Sequence, residues 1–158
     1  MEHLISLFIL VIRFGKNMIY TSQFKRLKEI PPDIVPISIA GWPPDGYLGI
    51  QFKVLAAKWE FFKVWKETHD NEYYIRCFNE QVLSKLDPFL IETRLYFLSG
   101  GKDVALLCYE DPGQFCHRHL VAEWFTKNDI PCFEIPDYLY LKVIEIPKLN
   151  VQFPGEEL

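Results

Sequence analysis

Apolar and polar positions fall into two rhythms along this chain. From Met18, "MIYTS" and "VPISIA" are short, β-branched and bounded by polar or proline-rich turns, which predicts strands. "GWPPDGYLG" interrupts them with two prolines, an Asp-Gly pair and two further glycines, the chemistry of a loop. Leu55, Trp59 and Phe62 then follow helical spacing. A second helical stretch carries Ile75, Phe78, Val82 and Leu86 at intervals of three and four, and it leaves Arg76, Glu80 and Lys85 to face water. Asp87-Pro88 reads as an N-cap followed by a first-turn proline. Ile91, Leu95 and Leu98 carry that next helix to a natural stop at Gly100-Gly101.

The last third is the most regular. "DVALLCYE" is a continuous apolar run, expected of a strand covered on both faces. "HLVAEWFTKND" is helical, with Leu120 and Trp124 on one stripe and Val121 and Phe125 beside it, and "IPCFEI" reads as another buried strand. Strand, helix, strand with short links is a βαβ unit, which builds parallel sheets with right-handed crossovers. The pattern predicts an α/β protein: a single three-layer Rossmann-like domain over residues 18–135 with a mostly parallel sheet. The tail, 136–158, alternates loosely through "YLYLKVIEI" before turning proline-spaced and acidic, and either adds an edge strand or runs irregularly.

The apolar run "LISLFILVI" (4–12) is too short to span a bilayer as a helix. It also lacks the basic leader and small-residue cleavage site of a signal peptide. Residues 1–17 are therefore expected to be an apolar extension. They form either an extra buried segment or, as the preferred reading, sequence upstream of a start at Met18. With 158 residues, 49% of them hydrophobic, there is material for one real core and no signature of global disorder. A net charge of −4 argues against a broad nucleic-acid surface, although a local basic pocket stays open. Cysteines at 77, 108, 116 and 132 are too few and too scattered for a disulfide-stapled module, so reduced thiols in a cytoplasmic protein without a membrane segment are expected.

The chemistry concentrates in "ALLCYEDPGQFCHRHLVAEWF", which holds two of the four cysteines and two of the four histidines within twelve positions. In open parallel sheets, ligands sit beyond the carboxyl ends of the strands, where helix amino termini converge. Cys108, Tyr109 and Glu110 fall at such a strand end, and Cys116, His117 and Arg118 open the following helix. Thr21 and Ser22, together with the stretch from Ser38 to Trp42, point to the same rim. Unpaired N–H groups and Arg118 suggest an anion pocket, and the same field favours a thiolate at Cys116.

These segments, with the Tyr74-containing helix, resemble the prokaryotic and viral family known as domain of unknown function 488. The resemblance covers roughly residues 18–135. It rests above all on a strand ending in Cys-Tyr-Glu, a short Asp-Pro turn, and Cys-His-Arg leading into a helix that reads Ala-Glu-Trp. It implies a Rossmann-like α/β fold and marks Cys108, Glu110, Cys116, His117 and Arg118 as site residues without assigning a reaction.

Each residue also has a plainer role open to it. Cys108 can be a small strand hydrophobe, as can Cys77 and Cys132. Arg118 can brace a loop or pair with Glu110, His117 can continue the buried stripe, and His119 is expected in solvent. Trp42 can simply pin its loop.

Three functional readings follow. In the first, an enzyme acts on a nucleotide-like or phosphate-bearing small molecule. Cys116 is the nucleophile, His117 or Glu110 moves protons, and Arg118, Thr21, Ser22, Trp42 and Tyr109 bind the anionic ligand. No cofactor is needed. In the second, Cys108, Cys116 and His117 hold a zinc-like ion. In the third, the pocket is a nucleotide sensor without chemistry.

Overall fold

The computed structural model describes residues 17–111 and 113–141; the 4–12 apolar run and most of the tail lie outside the described residues. Among the described residues, five strands form one sheet: β1 (Ile19–Gln23), β2 (Ile34–Ser38), β3 (Ile50–Gln51), β4 (Asp103–Cys108) and β5 (Cys132–Glu134). The spatial order is β3-β2-β4-β1-β5, and every pairing is parallel. Four α-helices accompany them: α1 (Trp59–Thr68), α2 (Asn71–Gln81), α3 (Pro88–Leu98) and α4 (His117–Lys127). The chain is a single α/β domain with an all-parallel sheet.

"VALLC" is the middle strand, and its unbroken apolar character follows from that position. Val104 and Leu106 face a core built with Ile19, Ile37, Ile91, Leu95, Val121 and Phe125, to which all four α-helices contribute. Ala105 and Leu107 face the other side, against Tyr20, Ile34, Ile135 and Tyr140. Among the described residues, the second face is covered by 3-10 turns at Phe24–Glu29 and Asp137–Leu139 and by loop side chains rather than by α-helix. Tyr140 is tied to the sheet by its hydroxyl, 2.6 Å from Ser22 Oγ. The tail adds no strand up to residue 141.

Local signals account for the helix ends. The Asp87 carboxylate accepts from Phe89 N at 2.9 Å and Leu90 N at 3.1 Å, with Pro88 in the first turn where its missing N–H costs nothing. Gly100 and Gly101 close that helix at φ 64° and 80°, a conformation glycine adopts without strain. α2 departs from the expected stripe. Tyr74, Cys77 and Phe78 form its buried face, whereas Ile75 is only half-buried. The helix stops at Gln81, and Leu83–Lys85 tightens into a 3-10 turn, so Leu86 lies off the helix. The two-residue strand β3 is too short to leave a periodic trace. No described helix is long and apolar enough to cross a membrane.

Candidate functional site

Parallel pairing of β2 with β4 puts Ser38 beside Leu107, and Ile39 N donates to Leu107 O at 3.1 Å, so both strands release their chains at the same rim. Ala40-Gly41-Trp42 and Cys108-Tyr109-Glu110 therefore emerge side by side. The loop that follows returns the chain to Cys116, the N-cap of α4. Two ties hold it: the Tyr109 hydroxyl donates to the Trp42 carbonyl at 2.6 Å, and Lys25 forms an ion pair with Asp111. His117 points back under the rim, its Nε2 lying 2.9 Å from the Ile39 carbonyl. A carbonyl only accepts, so Nε2 carries a proton and Nδ1 is the nitrogen that titrates. Nδ1 lies 3.7 Å from Cys108 Sγ, which itself lies 3.5 Å from Glu110 Oε2. The sulphurs of Cys108 and Cys116 and a ring nitrogen of His117 all fall within 4.8 Å of one another.

Above this cluster is a cavity of about 220 Å³. Its wall is aromatic: Trp42, Phe62, Trp65, Tyr74, Tyr109 and Phe115, with Cys108, Cys116, His117 and Glu110 as the polar groups. Phe115 packs between Trp65 and Tyr74, at centroid distances of 5.5 and 5.1 Å, and Phe62 stacks on Trp65 at 5.9 Å. Among the described residues, no lysine or arginine lines the cavity. The Phe78 ring holds the His117 imidazole from below, 5.4 Å between centroids.

Cys116 is driven far below an ordinary thiol, first by the hydrogen bond from the Cys108 thiol and then, against the cost of burial, by His117. Cys108 is pushed up by its hydrogen bond to Cys116 and by burial, so Cys116 is the thiol of the pair that ionises first. Burial alone would lower His117, yet the Cys116 thiolate and the Ile39 carbonyl raise it from the ordinary imidazole value. Burial and the neighbouring thiolate raise the Glu110 carboxyl. The arrangement is a cysteine of lowered pKa beside an imidazole and a carboxyl that both hold their protons more readily than usual, at the floor of a hydrophobic cavity.

Alkylation tests this ordering. Cys116 opens into the cavity, whereas burial pushes Cys132 up to about 12 and Cys77 is buried in the core. Because a depressed thiol stays ionised above its own pKa, iodoacetamide should label Cys116 at nearly the same rate at pH 6 as at pH 8. An ordinary thiol of pKa about 8.5 loses roughly tenfold per unit over that span. Peptide mapping of partly labelled native protein measures both. A steep pH dependence at Cys116, or faster labelling at Cys132, would remove the thiolate from this site.

The other expected site residues are elsewhere. Arg118 is 0% exposed and faces away from the cavity. Its guanidinium donates to both carboxylate oxygens of Glu134, at 3.3 and 3.2 Å, and to the Glu110 carbonyl at 2.6 Å. Thr21 donates its hydroxyl to the same Glu134 carboxylate at 2.6 Å. Arg118 is thus a brace joining α4, β5, β1 and the strand-end loop, and among the described residues it lines no open anion pocket. Thr21 and Ser22 are fully buried within β1 and its packing and do not reach the cavity. Trp42, 61% exposed at the cavity mouth, and Tyr109 do line it. His119 is half-buried rather than solvated, its Nε2 enclosed with no hydrogen-bond partner among the described residues.

Sequence reasoning missed Phe62, Trp65 and Phe115 as site residues. One signal was available: Trp59, Phe62 and Trp65 recur every three positions on a helix whose other residues are mostly charged or polar. Such a stripe exceeds what one amphipathic face needs.

A parallel sheet with paired thiols and an imidazole at the carboxyl end of its middle strand defines a Rossmann-like domain with its site in the position typical of that architecture. Residues 27–129 match the active DUF488-N3 subclade, and the chain belongs to the DUF488 family. No curated protein and no solved structure matches it.

Proposed function

We propose that this protein is an enzyme in which Cys116 attacks the flat heterocyclic part of a nucleotide-like small molecule. One observation carries the reading: a cysteine paired with an imidazole at the floor of an aromatic-walled cavity. Aromatic walls favour a planar ring, by stacking and edge contacts. At about 220 Å³ the cavity is smaller than the roughly 300–1,000 Å³ typical of drug-sized ligands, which suits a ring rather than a whole nucleotide. With no lysine or arginine in the wall among the described residues, any phosphate stays outside the mouth, near Trp42. The expected ligand is therefore defined by its ring and not by its charge.

The chemistry follows from the proton positions. The Cys116 thiolate forms a bond to an electrophilic ring carbon, and the displaced electron pair moves to a ring nitrogen or oxygen. That atom takes a proton from the Glu110 carboxyl, whose protonated form is favoured by burial and the neighbouring thiolate, or from the His117 imidazole, whose protonated form the thiolate favours. Low polarity around the reacting atoms strengthens each of these interactions. The family's matching subclade is described as active, which accords with catalysis.

The test is a panel of free bases, nucleosides and nucleotides followed by mass spectrometry, with wild type and Cys116→Ser. Wild type is expected to consume one member. The serine variant should bind it within about threefold, under about 0.7 kcal/mol, and consume none. If nothing is consumed while the variant loses binding, the pocket is a sensor rather than an active site.

A further inference from the structure

The same three donors have a second use. Two cysteine sulphurs and an imidazole nitrogen, each buried and all within 4.8 Å of one another, have the donor types and spacing of a tetrahedral thiophilic ion with three protein ligands. His117 adds an independent observation. Its Nε2 proton is committed to the Ile39 carbonyl at 2.9 Å, which fixes the ring and turns Nδ1 toward the sulphurs. Metal-bound histidines are oriented in this way, by a carbonyl or carboxylate on the far nitrogen. The fourth direction is also defined, because all three residues line the cavity, and Glu110 lies there with Oε2 3.5 Å from Cys108 Sγ.

We propose that Cys108, Cys116 and His117 form a binding site for a d10 ion such as zinc(II), with its fourth position open to the aromatic cavity. An ion there takes the lone pairs of Cys116 that the nucleophilic reading requires, and thiol protons leave to solvent as it binds. Metal occupancy and covalent chemistry at Cys116 are therefore mutually exclusive, and zinc acts as a reversible inhibitor. The inhibitory part rests on the function proposed above; the ion site rests on the donor geometry alone.

Cobalt(II) is the probe, added to chelator-treated full-length protein at neutral pH. Wild type should bind one ion per chain, with thiolate-to-cobalt charge-transfer absorption and the intense visible bands of tetrahedral cobalt. Zinc should displace it. Cys108→Ser and His117→Asn should each weaken binding by about a hundredfold or more, since each removes one of three protein ligands. Cys77→Ser, in the core and outside the cluster, should bind as wild type does. Circular dichroism identifies any variant that fails to fold, and two independent ligand substitutions keep the result readable. Absence of the cobalt spectrum in wild type, or equal binding in both ligand variants, overturns the site.

Iodoacetamide labelling separates the two proposals. Zinc should suppress labelling of Cys116 in wild type and leave it unchanged in Cys108→Ser. Labelling that ignores zinc in wild type overturns the inhibition. A cobalt spectrum in a protein whose metal-free Cys116 is inert would instead retain the ion site and remove the nucleophile.

Discussion

Arg118→Ala is expected to cost about 3–5 kcal/mol of folding stability while leaving ligand affinity per folded molecule nearly unchanged. The guanidinium is fully buried, and alanine would leave the Glu134 carboxylate, among the described residues, with only Thr21 as a partner and take from the Glu110 carbonyl its Arg118 donor. Breaking one side of a buried pair strands a charge, which accounts for the size of the loss. For a chain of this length that is a fall in Tm of roughly 6–20 °C. Glu134 itself is 29% exposed, so water can relieve part of the stranding and the lower half of the range is favoured. Arg118→Met with Glu134→Leu, which removes both charges, should recover a good part of the loss. Calorimetry on wild type and the two variants decides it. An Arg118→Ala protein with unchanged Tm and weakened binding of phosphate ligands would restore the anion pocket.

Phe78→Ala is expected to cost a similar 3–5 kcal/mol, the usual range for emptying a core phenylalanine site. Phe78 is fully buried among Phe61 and Tyr74, and its ring also supports the His117 imidazole. Two readouts should move together. Denaturant unfolding should show the stability loss, and labelling of Cys116 should slow at pH 6, because a loosened imidazole no longer holds the thiolate. Phe78→Leu, which keeps much of the volume, should lose only about 1–1.5 kcal/mol and retain more of the labelling rate. If alanine destabilises the protein yet leaves Cys116 reactivity intact, Phe78 supports the core and not the site.

How much of this was legible depended on the distance over which each signal acts. The middle strand could be read because a doubly covered strand must be apolar throughout, and Val104 to Leu107 are. The α3 boundaries could be read because Asp87, Pro88 and the Gly100-Gly101 pair act locally. Cys108, Glu110, Cys116 and His117 meet because a short loop joins a strand end to a helix start, which is also close in sequence. Arg118 was misplaced because its partner, Glu134, arrives only through the crossover to β5; a guanidinium at a helix start looks the same whether it faces ligand or carboxylate. The aromatic wall is assembled from positions between 42 and 115 on four separate segments, and no local pattern announces a shared cavity. The Tyr74 face of α2 displaced the expected Ile75 face for a related reason: the cavity and the Phe61 ring recruit the tyrosine.

The strand order carries a consequence for biosynthesis. β1 and β2 never pair with each other; the gap between them is filled by β4, which leaves the ribosome only after α1, α2 and α3 have been made. Until then the nascent chain holds two strands with vacant inner edges, which are templates for pairing with other chains. Contacts so distant in sequence form slowly, so the vulnerable interval is set by translation of the helical segment rather than by local folding. Insertion of β4 joins the β2-β3 pair to β1 and carries Cys108 to the rim, so a chain stalled before Asp103 lacks the continuous sheet and the site.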